Sequence, residues 1–333
     1  MLKRFIQLFL TPLPSRLKVP IYRMLGARID KRARIAPFVV LVADSITLGP
    51  CARIRPLTLI NGCESLTMGA YASISNLCVI NGPASLTLKP RAFVGPGCMV
   101  DLHAPVTVGE YSGVGPRCTL MTHSTFWPST WGCTCKVAPI VIGDMVWLGF
   151  GCHLGAGVNI CDRVAILPNT TVLRDVRKTG MVHDNGLTRK TFPFAPVQHR
   201  ISGQWLREHV RELVGAYYRD CLQKKGYEIL EETGRFVLRR NAKQIIIHVE
   251  AIGESPDTTA SHWLLGFDVS ERILSETTNI EVLDMLQLLH SSRPTKDLRY
   301  MLDYFRSTWG LRFADARDRH HFSLHPPLPE NTE

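Results

Sequence analysis

The chain has 333 residues, 45% of them hydrophobic, which is ample for two packed domains. A formal net charge of +10, with a pI near 9.2, favours anionic partners: phosphates on a ligand or a membrane surface. No recognised nucleic-acid module accompanies that charge, which argues against DNA or RNA.

Residues 1–28 predict two short amphipathic helices separated by TPLPS. The apolar run FIQLFL is too short to span a bilayer, and no cleavage-site pattern follows it. Two roles are open to this segment. It is expected to cap the end of the domain that follows, whose terminal strands would otherwise invite edge pairing. The alternative is a peripheral membrane contact through Leu2, Phe5, Leu8 and Phe9 with Lys3, Arg4 and Arg16.

From Ile29 the chain starts to repeat. A first coil carries Ile29, Ile35 and Leu41, and after a register adjustment four blocks of 20 residues run from Ser45 to Ser124. Within them an aliphatic residue recurs every sixth position: Leu48, Ile54, Ile60, Met68, Ile74, Ile80, Leu88, Val94, Val100, Val108, Val114 and Leu120. The rhythm resumes at Ile142, Leu148, Leu154, Ile160, Ile166 and Val172. A helix repeats near 3.6 and a paired strand at 2, so neither sustains a period of six. A solenoid does, with three short flat faces per coil, each sending one aliphatic side chain inward. Two residues before most of these sites lies a second small or branched residue, and Gly often follows, easing the corners. Cys78, Cys98, Cys118 and Cys152 all fall at the second inward site, which makes them buried, reduced fillers and the compartment a reducing cytoplasm. Cys133 and Cys135 form a CxC without a second pair to complete a metal site.

The corner that carries Asn61-Gly62, Asn81-Gly82 and the Asp101–His103 stretch becomes Met121-Thr122-His123-Ser124 on the next pass, then opens into TFWPSTWGCTCKVAP, residues 125–139. Val108 and Ile142 are therefore 34 residues apart, and an excursion from a regular solenoid is where function is sought. His103 precedes His123 by one coil and is expected to stack beside it at about 4.8 Å. Coils of 18 residues continue to about Val176, and residues 177–202 read as an extended exit segment. Residues 203–333 change grammar to an α+β domain. Helices are expected at Gln204–Leu222, Ile280–Leu289 and Lys296–Trp309, with strands at Tyr227–Leu230, Arg235–Leu238, Gln244–Val249 and Trp263–Val269.

The six-residue rhythm resembles the hexapeptide repeat of the left-handed parallel β-helix acyltransferases, over roughly residues 29–190. The order LMTHS, insertion, PIVIGDMVWLGFGCHLGAGV resembles their sugar and antibiotic O-acetyltransferase branch. The resemblance implies a mainly β fold: residues 29–176 a left-handed β-helix, with the helical cap before it and the α+β domain after it. It also implies transfer of an acyl group, acetyl being the expected one, from acyl-CoA to a saccharide or glycan-precursor hydroxyl, with no metal. His123 matches the family's general base, and an imidazole with an ordinary pKa of about 6.5 suits that task near neutral pH. Trp147 in VWLG, with Gly149, Gly151, Arg174 and Lys190, corresponds to the groove that takes coenzyme A, and the glycine corner is the expected source of oxyanion donors. Arg174, Lys178, Arg189 and Lys190 are candidates for its phosphates. His183–Lys190, HDNGLTRK, departs from the family's G-N-P-A-K by lacking the Pro, which leaves the grip on the nucleotide end open. His103, Ser124, Phe126, Trp127 and Trp131 are candidates for the acceptor side. The family forms homotrimers with shared sites, so the insertion would reach a neighbour. Two other readings stand beside this one: a non-catalytic trimeric scaffold displaying the C-terminal domain, and a zinc enzyme similar to the hexapeptide carbonic anhydrases, whose close histidine pair is absent here.

Overall fold

The computed structural model describes residues 2–124, 135–186, 188–192, 203–232, 235–240, 243–249, 261–266, 280–284, 289–290, 296–309 and 314–315. The chain divides into two compact units, Met1–Val197 and Gln198–His320.

The first unit is a parallel β-solenoid. Every aliphatic residue of the six-step series lies in its bore, from Ile35, Leu41 and Ile60 at 0% exposure to Leu48, Val94 and Val100 at 2%, with Ile29 of the first coil at 7%. Each such side chain contributes about 1.5–3 kcal/mol by leaving water, which is why a short pattern repeated many times specifies the fold. Coil length is read from the strand register. Ile54 pairs with Ile74, Ile74 with Val94, and Val94 with Val114, a step of 20 residues each time. Val114 then pairs with Leu148 across the insertion, and Leu148 with Ile166 at a step of 18. The adjustment ahead of Leu48 is a bulge between Leu41 and Ala43, where Val40–Leu48 pairs with Leu59–Met68.

The glycines after the aliphatic sites earn their place by space rather than by backbone angle. Gly69, Gly95 and Gly149 do not have positive φ; the left-handed residues at the corners are mostly others, such as Cys51, Leu57, Tyr71 and Leu77. A Cβ on Gly69 would meet Pro90 N at 2.5 Å, and one on Gly149 would meet Pro168 N at 2.6 Å. Successive coils touch backbone to backbone there, and only hydrogen fits.

Cys78, Cys98, Cys118 and Cys152 occupy the second inward site as expected, each with 0–1% exposure. Their thiols donate to corner carbonyls: Cys78 to Gly95 O at 3.1 Å, Cys98 to Gly115 O at 3.0 Å and Cys118 to Gly149 O at 3.0 Å. Thr58 begins the same column with its hydroxyl on Ser75 O at 2.7 Å. The column therefore fills space and satisfies buried carbonyls together.

Two helices, α1 (Leu2–Phe9) and α2 (Ser15–Met24), stand at the N-terminal end. Lys18 of α2 is fully buried and donates to Thr11 O at 3.1 Å and Ala36 O at 2.9 Å. Tyr22 donates its hydroxyl to Leu41 O at 2.8 Å. These contacts tie α2 over the first coil, as a cap would. At the other end, the exit segment is more ordered than its composition suggests. Gly180–Asp184 adds a parallel strand to Val164–Ile166, and Arg189–Phe192 returns antiparallel to it.

The second unit holds a seven-stranded mixed sheet among the described residues. Glu228–Glu232, Arg235–Arg240 and Lys243–Val249 form an antiparallel meander, followed by parallel Ser261–Gly266 and Ile280–Asp284. Helices Gly203–Tyr217 and Lys296–Trp309 supply Leu213, Val214, Tyr217, Leu298, Met301 and Phe305 to a core with Leu238, Ile245 and Ile247. The helix expected from Ile280 is instead this strand. Ile280 and Val282 are β-branched and alternate, and pairing with His262–Gly266 overrides the helical spacing of the leucines.

Candidate active site

The strand Thr119–Met121 stacks on Met99–Asp101, so the corner Thr122-His123 lies directly over Leu102-His103. His123 and His103 stack with ring centroids 4.1 Å apart and planes inclined by 46°, the pairing expected from the coil repeat. Asp101, which the sequence pattern alone did not single out, bridges the Nδ1 edges of the two rings. Its Oδ2 lies 2.8 Å from His123 Nδ1 and its Oδ1 lies 2.6 Å from His103 Nδ1. The Asp101 side chain is 11% exposed, against 31% for His123 and 47% for His103.

Thr122 completes the arrangement. The column that carries Leu102 on one coil carries Thr122 on the next, and both are fully buried. The Thr122 hydroxyl lies 2.8 Å from Asp101 Oδ2 and accepts from Ala104 N at 3.0 Å; Thr122 N donates to Asp101 Oδ2 at 3.2 Å. Burial alone would raise the Asp101 pKa. Hydrogen bonds from His123, His103 and Thr122, with the attraction of His123, outweigh it and hold the carboxyl at about 2.

An ionised carboxylate can only accept hydrogen bonds. Both imidazoles must therefore carry a proton on Nδ1. In the neutral form of His123 this leaves Nε2 as the bare, basic nitrogen. A sequence signal for Asp101 existed: Asp at the corner position held by Asn61 and Asn81, two residues before one histidine and one coil before another. Only the stacking of coils turns that into a contact.

The insertion leaves the solenoid on a short antiparallel ladder. His123–Ser124 pairs with Lys136–Val137, His123 opposite Val137 and Ser124 opposite Lys136. His123 is thus held from two sides, by Asp101 and by the ladder at the foot of the excursion. Phe126, Trp127 and Trp131 lie outside the described residues.

The other candidate residues are distributed over neighbouring coils. Trp147 is 47% exposed on a different face of the solenoid, in register with Gly113 and Ala165. Lys190 belongs to the same sheet, opposite His183. Gly149 and Gly151 line the corner after Trp147, but their amides are spent on the solenoid: Gly149 N donates to Ile166 O at 2.8 Å and Gly151 N to Pro116 O at 2.9 Å. That removes these two N–H groups from the role of oxyanion donor. Arg189 is likewise committed. Its Nε bonds the fully buried Asp184 at 2.6 Å and its Nη2 bonds Arg174 O at 2.6 Å, fastening the returning strand to the last coil. Lys178, Lys190 and Arg174 keep exposed positions on these last coils.

Among the described residues one cluster has metal-ligating potential: ligand atoms of Asp101, His103 and His123 all lie within 4.8 Å of one another. Both Nδ1 atoms point at the carboxylate, so a cation there would compete with the two imidazole protons.

No protein-family model and no curated protein matches the chain. Solved structures do. The polySia-specific acetyltransferase NeuO is 14% identical at a TM-score of 0.38, over 53% of this chain and 84% of that one. The hexapeptide-repeat acetyltransferase VCA0836 from Vibrio cholerae O1 biovar eltor, complexed with acetyl coenzyme A, is 16% identical at 0.32, over 57% and 84%. AntD, an N-acyltransferase from Bacillus cereus in complex with dTDP and 3-hydroxybutyryl-CoA, is 10% identical at 0.38, over 60% and 98%.

Proposed function

We propose that the chain is an acyl-CoA-dependent O-acyltransferase, with acetyl as the acyl group, acting on a hydroxyl of a saccharide or glycan precursor. One observation carries the reading: His123, at the foot of the insertion, has Nδ1 fixed on the ionised Asp101, which leaves Nε2 to act as a base. In the reaction, Nε2 takes the proton of the acceptor hydroxyl as its oxygen bonds to the thioester carbonyl carbon. The tetrahedral intermediate then expels the thiolate of coenzyme A, which recovers the proton from the imidazolium. Asp101 stabilises that imidazolium without taking its proton. Trp147 offers an exposed aromatic face to the co-substrate, and Arg174, Lys178 and Lys190 offer charge for its phosphates.

Assembly belongs to the same proposal. Leu59, Val79 and Met99 form an exposed apolar row in register on one face, flanked by Leu57 and Leu77 at the corner. The row runs on into Thr119 and His153, the strands beside the His123 corner. Side-by-side packing of three copies along it would cover the row and bring a neighbour to the site.

The test is turnover. Wild-type protein releases coenzyme A from acetyl-CoA in the presence of a saccharide acceptor. His123→Ala lowers the rate by about 10²–10⁴-fold, with an unchanged circular dichroism spectrum. Retained turnover in that variant removes His123 as base, and absence of acetyl-CoA binding in calorimetry returns the chain to the scaffold reading. The metal-ligating geometry of Asp101, His103 and His123 favours a second reading, a metal-dependent enzyme. Stoichiometric zinc in the purified protein, lost in Asp101→Ala, would replace the acyl-transfer assignment.

A further inference from the structure

Helix α1 is mounted inside out. Gln7 is fully buried and exchanges two hydrogen bonds with the backbone of Ala43, Nε2 to the carbonyl at 3.0 Å and Oε1 from the amide at 3.2 Å. Arg4 grips both oxygens of Asp44, through Nε at 3.0 Å and Nη2 at 2.7 Å, and Lys3 Nζ reaches the Asp44 carbonyl at 2.6 Å. At 3.6 residues per turn, Phe5 and Phe9 fall on the side opposite Lys3 and Gln7, with Leu8 on the flank between the two Phe and Arg4. They are 60%, 47% and 66% exposed, and the two Phe rings meet edge-on at 4.9 Å. On the neighbouring α2, Leu17 is 56% exposed and Met24 85%. A surface helix ordinarily turns its apolar stripe to the core and its polar side to water. Here the solenoid edge has taken the polar side instead.

Charge identifies what the apolar side is for. Residues 1–55 contain eleven Lys and Arg against two Asp, so they carry +9 of the chain's +10. Lys3 and Arg4 are engaged with Asp44, but Arg16, Arg28, Lys31, Arg34, Arg53 and Arg55 are exposed on the helices and the first two coils. Arg34 and Arg53 sit side by side in register. An exposed aromatic face in a strongly cationic N-terminal region is the composition that binds at an anionic lipid interface. No helix among the described residues is long and apolar enough to cross a membrane.

We propose that this end of the molecule docks peripherally on an anionic lipid surface, with Phe5, Leu8 and Phe9 at the boundary of headgroups and acyl chains and the positive charge of residues 1–55 drawing it to the headgroups. The proposal is independent of the acyl-transfer reading, since it uses none of the same residues.

The experiment is co-sedimentation of the full chain with vesicles of phosphatidylcholine containing phosphatidylglycerol, and with vesicles of phosphatidylcholine alone. Binding is expected to the anionic vesicles, weakening as salt is added, with much less to the neutral ones. Replacing Phe5 and Phe9 together by Ser removes apolar groups that make no core contact and is expected to weaken binding by about tenfold or more. Arg34→Glu with Arg53→Glu should weaken it comparably while leaving the aromatic face intact. Wild-type protein that stays in the supernatant, or a double Phe variant that binds as well as wild type, overturns the proposal. So does a drop in molecular mass of the Phe variant by light scattering without lipid, because the face would then be a contact between copies.

Discussion

Asp101 shows how much a site depends on one acceptor. Its carboxylate receives both imidazoles and the Thr122 hydroxyl, and replacing it by Asn would present an amide N–H₂ to a ring that needs an acceptor. Asp101→Asn is expected to lower kcat by about 10²–10⁴-fold with little change in KM, because the wrong tautomer would leave Nε2 protonated. Wild-type turnover in that variant would show that the carboxylate has no positioning role. Its folded pKa of about 2 lies below the ordinary carboxylate value, so its contribution to stability is present above that ordinary value and lost as pH falls through about 2. Unfolding free energies from urea denaturation of wild type and Asp101→Asn should therefore differ by about 1–2 kcal/mol at neutral pH and converge in acid. Lys18 has the opposite dependence. Burial lowers it to about 8, so between there and the ordinary lysine pKa the unfolded chain binds the proton more tightly and stability rises with pH. Lys18→Met should abolish that rise, worth about 1–3 kcal/mol; an unchanged slope would assign it to another group.

At the scale of the element, the coil is a unit whose corners are as specific as its faces. The aliphatic residue of each step was legible because its neighbours in the bore are its own repeats in the adjacent coils. The reason for the following glycine was not legible, since it depends on backbone atoms a whole coil away. Gly149→Ala would press a methyl group on Pro168 and is expected to cost about 1–3 kcal/mol in thermal or urea denaturation, with a smaller penalty if the corner can open. The cysteine column makes a further prediction. Native protein treated with a thiol reagent should be labelled at exposed Cys135, while peptides holding Cys78, Cys98, Cys118 and Cys152 stay unmodified until unfolding. Early labelling of the column would mean that the bore opens readily. The strand Ile280–Asp284 marks where local pattern misleads: four leucines nearby mimic a helix, and a parallel neighbour decides otherwise.

For the whole molecule, the apolar row through Leu59, Val79 and Met99 is the surface expected to be covered on assembly. Val79→Asp should convert the proposed trimer to monomers by light scattering without unfolding the solenoid; an unchanged mass would place the contact elsewhere. The sequence alone determined the solenoid, its coil length, its insertion and the stacking of His103 with His123, because a one-dimensional repeat maps sequence spacing directly onto position along an axis. The tertiary structure decided that Asp101 holds both histidines, that the Gly149 and Gly151 amides are already spent, and that α1 turns its apolar side outward. Each of these rests on a hydrogen-bond partner contributed by another coil or by the backbone it packs on, and no periodicity along the chain encodes which partner a polar group will find.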